Sequence, residues 1–214
     1  MKRLLHLKAS PRADGSHSLA AAHKFLETLH SRSGAIDVAE VDVWKTDLPH
    51  LDGALLAAKY AMLSGGALKA DEALAWSAIQ TMVQELDAAD VVLISTPMWN
   101  LSIPYRLKHY IDLVTQPGLS FRFHPETGYV PLLRPRPVVA ILASAGDFSE
   151  GPSWGRPDLA TPYLQEALKF IGLRDVEIVP ICLTAGKPEA ATAAAARAQE
   201  ALEQLANRLA ENAA

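Results

Sequence analysis

Asp90-Val91-Val92-Leu93-Ile94-Ser95-Thr96, running on into Pro97-Met98-Trp99-Asn100-Leu101-Ser102-Ile103-Pro104, is the stretch that decides the fold. Val91 to Ile94 are apolar at consecutive positions, whereas a strand with one wet face would alternate. Such a run suits a strand covered on both faces, as in a parallel sheet. Parallel strands need long crossovers, usually helices, to join them. Pro104 to Val114 supplies one, with Leu107, Ile111 and Val114 on one side and Pro104 in the opening turn.

The same unit recurs on either side. Strands are expected at Arg3 to Lys8, Pro137 to Ser144 and Val176 to Leu183, with a weaker one at Ile36 to Val43. Ser18 to Leu29 reads as a helix with Leu19, Ala22, Leu26 and Leu29 on one face, and Asp71 to Leu86 as another with Leu74, Ile79, Met82, Val83 and Leu86. Thr161 to Ile171 has Pro162 in its first turn and Gly172 just past its end, and the Ala-rich segment Pro188 to Leu209 closes the chain. Five strands alternating with five helices predict an α/β fold of the flavodoxin-like kind: a doubly wound five-stranded parallel sheet, order 2-1-3-4-5, with helices on both faces. One domain over residues 1–214 is expected. Two connections, Thr46 to Lys69 and Thr115 to Pro135, exceed the usual length and are candidates to build a site or a dimer surface.

Composition narrows the function. The net charge is −4, so no overall positive field draws nucleic acid, and no nucleic-acid partner is expected. No segment approaches the roughly 20 apolar residues needed to cross a bilayer, and the broken apolar stretch after Lys2-Arg3 is too short for a signal peptide. A cytoplasmic protein without membrane association is expected. The only cysteine, Cys182, has no intrachain partner and reads as a small buried hydrophobe.

In an open α/β sheet, ligands bind beyond the carboxyl ends of the strands. Three loops lie there. The first, Ser10-Pro11-Arg12-Ala13-Asp14-Gly15-Ser16-His17-Ser18, leads directly into a helix. Free N–H groups and the positive end of the helix dipole suit a phosphate there, with Ser10, Ser16 and Ser18 as hydroxyl donors. The competing reading is that Ser16 or Ser18 only caps the helix. Neither G-x-G-x-x-G nor G-x-x-x-x-G-K-[ST] occurs, which argues against a dinucleotide fingerprint and a P-loop. The second loop places Met98, Trp99 and Asn100 where a flat isoalloxazine ring would find an apolar wall and an amide, unless Trp99 packs on a neighbouring loop instead. The third, Ser144-Ala145-Gly146-Asp147, offers backbone N–H groups to the edge of such a ring, while the Asp147 carboxylate would oppose negative charge growing on it.

Taken together, these residues resemble the FMN-dependent NADH-azoreductase family, flavodoxin-like quinone and azo reductases. The resemblance rests on Ser10-Pro11-Arg12 with Ser16-His17-Ser18, on Pro97-Met98-Trp99-Asn100 followed by Ile103-Pro104 and Leu107-Lys108-His109-Tyr110-Ile111-Asp112, on Gly118 to Phe123, and on Asp158 to Leu164 with Phe170-Ile171-Gly172. It implies FMN held non-covalently at a homodimer interface, NADH or NADPH as electron donor, and a quinone, azo compound or nitroaromatic as acceptor, the two substrates taking turns in a ping-pong scheme. The alternative is a flavodoxin-type electron carrier acting on protein partners. Carried over by position, the resemblance assigns FMN contacts to Ser10, Ser16, His17 and Ser18, to Pro97, Met98, Trp99, Asn100 and Leu101, and to Ser144, Ala145, Gly146 and Asp147. It departs from the family at Ala145 and Asp147, where a Ser-Arg-Gly-Gly pattern is common, and at Trp99, where Tyr is usual. No catalytic side chain and no metal are implied. Phe121, Phe123 and Tyr129 are candidates to roof a substrate pocket, with a satellite cluster at a dimer contact as the competing reading.

Overall fold

Residues 1–212 are described by a computed structural model, in which strands and helices alternate in the order β1 (Arg3–Lys8), α1 (His17–Ser33), β2 (Asp37–Asp42), α2 (Gly53–Ser64), α3 (Ala70–Ala88), β3 (Val91–Pro97), α4 (Tyr105–Val114), β4 (Phe121–His124), β5 (Gly128–Pro131), β6 (Pro137–Ala143), α5 (Ala160–Ile171), β7 (Asp175–Ile181) and α6 (Pro188–Glu211). The five long strands form one parallel sheet in the order β2-β1-β3-β6-β7, which is the expected 2-1-3-4-5 once β4 and β5 are set aside as a separate antiparallel hairpin.

The central strand explains the layers. Ile94 lies beside Leu7 of β1 and Ala140 of β6. Because successive side chains of a strand point to opposite faces, the unbroken apolar run feeds two cores at once. Val92 and Ile94 join Leu107, Ile111, Leu164 and Leu168 from α4 and α5 on one face, and Val91 and Leu93 join Phe25, Leu29, Leu202 and Leu205 from α1 and α6 on the other. Burying each such side chain stabilises the fold by about 1.5–3 kcal/mol. Cys182, just past the end of β7, is buried as expected.

The sheet also buries one titratable group. His6, fully buried in the middle of β1, hydrogen-bonds Ser95 Oγ through Nε2 at 2.9 Å, while its Nδ1 has no hydrogen-bond partner and faces Glu40 Oε1 at 3.8 Å. Burial outweighs the attraction of Glu40 and lowers the imidazole pKa from 6.5 to about 4.

Three features depart from the sequence expectations. In α3 the buried stripe is Trp76, Ile79, Val83 and Leu86, and Leu74 is 75% exposed. Leu74 precedes Trp76 by two residues, about 200° around the helix, so only one of them can face the sheet. The stretch from Thr46 to Lys69 contains a sixth helix, α2, capped by Asp52 Oδ1, which accepts from the Ala54 and Leu55 N–H groups. It packs only Leu55 and Ala58 fully inward, too few for an amphipathic pattern to stand out. The stretch from Thr115 to Pro135 is the β4–β5 hairpin.

That hairpin is fastened at the amino end of the sheet. Leu133 N–H donates to Ile171 O, and Gly172, with φ +115°, lets the chain turn where an added Cβ would stand 2.4 Å from Leu133 O. Next to it the buried Arg136 guanidinium donates to the Leu86, Asp87 and Ala89 carbonyls and to the Asp87 carboxylate, satisfying the orphan carbonyls at the end of α3.

Candidate functional site

Each of the three loops begins where a buried strand ends and leads to the next helix, so each emerges at the carboxyl end of the sheet. The hydrogen-bond ladder continues past the strand ends and holds them in place. Ala9 N–H donates to Ser95 O at 2.8 Å, Met98 N–H to Ala143 O at 2.7 Å, and Ser144 N–H to Ile181 O at 2.9 Å. β1 and β6 flank β3, so the outer loops stand about two strand spacings, or roughly 10 Å, apart.

The first loop makes a single turn of 3₁₀ helix at Ala13–Gly15 before α1 begins. Ser10, Ser16 and Ser18 are buried, while His17 is exposed. Ser16 Oγ accepts from Leu19 N–H at 3.3 Å, so it caps α1, and it also lies 3.3 Å from Ser18 Oγ. Both readings of the serines therefore meet at one place. The hydroxyls that cap the helix stand beside the N–H groups of its first turn, which have no intrahelical acceptor. Ser10 and Ser16 also line a cavity of about 440 Å³, together with Lys8, His23, Asp42 and Trp44.

The second loop is a two-residue turn. Trp99 and Ser102 exchange backbone hydrogen bonds at 2.7 and 3.0 Å, and the residues between them, Asn100 and Leu101, have φ of +48° and +72°. Positive φ at both centres is the type I′ pattern, which glycine usually supplies. Here neither residue is glycine. Backbone held this way costs energy that the surroundings must repay, a feature concentrated at ligand-binding loops. Pro97 and Met98 are half-buried beneath the turn, whereas Trp99 and Asn100 are exposed.

The third loop is tied back to the end of β7. Ser144 Oγ donates to Gly146 O, Leu183 N–H donates to the same carbonyl, and Thr184 donates to Ser144 O from both its N–H and its hydroxyl. Gly146 leaves no room for a side chain, since an added Cβ would meet Ser153 Oγ at 2.6 Å. Ala145 and Asp147 are exposed. The Asp147 carboxylate accepts from the Ser149 hydroxyl at 2.6 Å and the Ser149 N–H at 3.0 Å, bonds that hold its pKa below the ordinary carboxylate range. Asp147 is thus occupied within its own loop. Further along, Leu159 N–H donates to Leu101 O, joining the third loop to the second.

The structure brings Phe121, Phe123 and Tyr129 together, but on α5 rather than on the loops. Phe121 and Tyr129 stack against Phe170 with centroids 4.9 and 5.4 Å away, and Phe123 packs on Tyr129 at 5.3 Å. Phe170 is in the last turn of α5, the end remote from the three loops of the same chain. Phe123 and Tyr129 remain mostly exposed.

Two residues at the site escape the sequence reading. Trp44, just past β2, packs against Trp99 at 5.4 Å and edge-on to Tyr105 at 5.3 Å, and Arg106 donates to the Val43 and Thr46 carbonyls on either side of it. The expectation that Trp99 packs on a neighbouring loop is met by Trp44, and Trp99 still leaves 38% of its surface open. A tryptophan beside an edge strand was the only available sign, and nothing in its spacing points to the loop after β3.

Known proteins are similar to this chain over most of its length. Residues 2–206 match the family described as flavodoxin-like fold. An FMN-dependent NADH:quinone oxidoreductase of Bradyrhizobium diazoefficiens is 44% identical over 206 residues, covering 96% of this chain and 99% of its own, and one from Pseudomonas fluorescens is 39% identical over 212 residues, covering 98% of each. Among solved structures, an FMN-dependent NADH-azoreductase from Bacillus anthracis in complex with FMN superposes with a TM-score of 0.84 at 27% identity, covering 98% of this chain and all of that one. The chain belongs to this flavodoxin-like family, that of the FMN-dependent NADH:quinone oxidoreductases and NADH-azoreductases.

Proposed function

We propose that this chain is an oxidoreductase that holds FMN across the three loops, takes electrons from NADH and delivers them to quinones and to aromatic azo compounds, the two substrates entering in turn. The observation that carries the reading is the pairing of buried serine hydroxyls at the start of α1 with a strained, aromatic-bearing turn one strand away. The full-length similarity to quinone oxidoreductases and azoreductases supports the same chemistry.

The residues fit the cofactor. Ser10, Ser16, Ser18 and the first-turn N–H groups of α1, with His17 beside them, would hold the phosphate, donating to its oxygens at the positive end of the helix. Met98, Trp99, Asn100 and Leu101, over Pro97, would face the ring. Backbone N–H groups of Ser144 to Asp147 would line its polar edge. The chemistry FMN supplies when bound is acceptance of electrons from a reduced nicotinamide and their donation to the acceptor. The protein's part is binding, orientation and electrostatics. With Asp147 engaged by Ser149, its carboxylate is held ionised within its own loop, so its charge would oppose negative charge building at that edge.

A homodimer completes the reading. Within one chain, Phe123 and Tyr129 lie far from the three loops, so a pocket roofed by them is roofed by a partner's hairpin. The partner is a second copy of this chain, and nucleic acid is not a partner. Among the described residues no helix is long and apolar enough to cross a membrane, and we place the enzyme in the cytoplasm. Mixing FMN-loaded protein anaerobically with NADH, then with a quinone or an azo dye, tests the assignment. Loss and return of absorbance at about 450 nm, the flavin's own band, is the expected result. Protein that takes up FMN but is not bleached by NADH would instead be a flavodoxin-type carrier.

A further inference from the structure

Trp44 sits outside every loop assigned above, yet it touches two of them. Its indole Nε1–H donates to Ala9 O at 3.0 Å, one residue before Ser10 opens the first loop. Its ring meets Trp99, in the second loop, at 5.4 Å and a 53° tilt, and Tyr105, at the start of α4, edge-on at 5.3 Å. Tilted and edge-on aromatic pairs at this separation attract beyond their buried area.

Trp44 is itself held from several sides. Its N–H donates to Asp42 Oδ1 at 3.0 Å, Val43 N–H donates to Lys8 O at 3.1 Å, and Thr46 N–H donates to Asp42 O at 2.8 Å. Arg106, in the first turn of α4, donates through Nε to Val43 O at 2.6 Å and through Nη2 to Thr46 O at 2.8 Å. These bonds fix the backbone that carries Trp44, and the indole itself is held by its bond to Ala9 O and its contacts with Trp99 and Tyr105. The partner turn is equally stiff, with both central residues left-handed and closed by two backbone bonds.

From this juxtaposition we infer that Trp44 is a positioning residue that couples the phosphate loop after β1 to the ring loop after β3, so that the two halves of the flavin site are fixed as one unit. The hydrogen bond to Ala9 O sets where Ser10 begins, and the indole face sets the tilt of Trp99. A ligand bound at one loop therefore gains from order already present at the other, a preorganisation that raises affinity without adding contacts. The inference rests on the proposed FMN site.

Apoprotein titrated with FMN, and separately with riboflavin, tests it. Uptake of FMN by the unsubstituted apoprotein tests the site itself. If that uptake is present, Trp44→Leu is expected to weaken FMN about 10- to 30-fold, the worth of a lost hydrogen bond and an aromatic pair together. Trp44→Phe keeps an aromatic ring but no donor, and is expected to weaken it about threefold to tenfold. Riboflavin, which lacks the phosphate, should weaken as well with Trp44→Leu, because the ring loop is also released. A double-mutant cycle supplies the readout that a merely structural role would not move. Ser16→Ala and Trp99→Leu should be non-additive for FMN affinity when Trp44 is present and additive when it is Phe. Additivity in both backgrounds, or unchanged FMN affinity in Trp44→Phe, overturns the coupling. Should Trp44→Leu fail to fold, the cycle in Trp44→Phe decides the matter.

Discussion

Single side chains at this site carry two duties, and substitution separates them. Ser16 both caps α1 through Leu19 N–H and stands beside Ser18 in the proposed phosphate seat. Changing both serines to Ala is expected to weaken FMN by roughly 1–3 kcal/mol, the worth of hydrogen bonds to a charged group. The fold should lose about 1 kcal/mol as well, for the missing cap. Calorimetric FMN titration with thermal unfolding of the apoprotein checks both, and intact affinity with a lowered Tm would leave the serines as caps only. His6 governs acid stability. Its pKa is lowered from 6.5 to about 4 in the fold, so between those pH values the unfolded chain binds more protons than the folded one. Stability is thus full above pH 6.5 and falls as the pH drops towards 4, by up to about 3 kcal/mol, because each tenfold difference in proton affinity between the two states is worth about 1.4 kcal/mol. Urea midpoints at several pH values in this window should show a shallower fall for His6→Gln than for the unsubstituted protein. Equal falls would assign the acid sensitivity to the carboxylates.

Among elements, the turn from Trp99 to Ser102 is where stability and binding pull apart. Leu101 has a branched side chain and a φ of +72°, a conformation glycine adopts without cost. Leu101→Gly is expected to stabilise the apoprotein by about 1 kcal/mol, since a left-handed non-glycine residue costs about 1–2 kcal/mol. It should also weaken FMN several-fold, because the turn becomes freer and the proposed wall of the ring site loses a side chain. Differential scanning calorimetry against flavin titration measures the trade, and a fall in both quantities would mean that the leucine packs the turn rather than straining it. The β4–β5 hairpin shows the contrasting case. Phe121 and Tyr129 pack on Phe170 while Phe123 and Tyr129 stay mostly exposed, and the base of the hairpin is held beside Gly172, so it is an arm anchored at one end.

Across the whole molecule, that arm reaches away from the loops of its own chain, which makes the predicted dimer a matter of function as well as of mass. Phe123→Ala combined with Tyr129→Ala should lower kcat/KM for quinones at least about tenfold, a transition-state loss of about 1.4 kcal/mol, while FMN affinity stays put. Sedimentation should give two copies. A monomer that retains full quinone reduction would rule out the shared roof. Much of this was readable from the sequence alone. The consecutive apolar residues Val91 to Ile94 require cover on both faces, and that requirement specifies a parallel sheet, crossover helices and a site at the carboxyl ends. Ser16, Met98 and Ser144 could be nominated as site residues because strand ends in such a sheet are where ligands bind, and the fold places all three in loops at that end. Leu74 and Trp76 were not distinguishable by periodicity, since both are apolar and only packing chooses between opposite sides of one helix. That the Asp147 carboxylate accepts from Ser149 was not legible in the sequence, because it depends on how the turn after Gly146 folds back. Trp44 and Phe123 belong wholly to the tertiary level. Local pattern marks which strands are covered on both faces and where their loops emerge, but the choice between Leu74 and Trp76, the meeting of Trp44 with Trp99, and the packing of Phe121 and Tyr129 on Phe170 rather than on the loops depend on how segments far apart in sequence are brought together by the sheet.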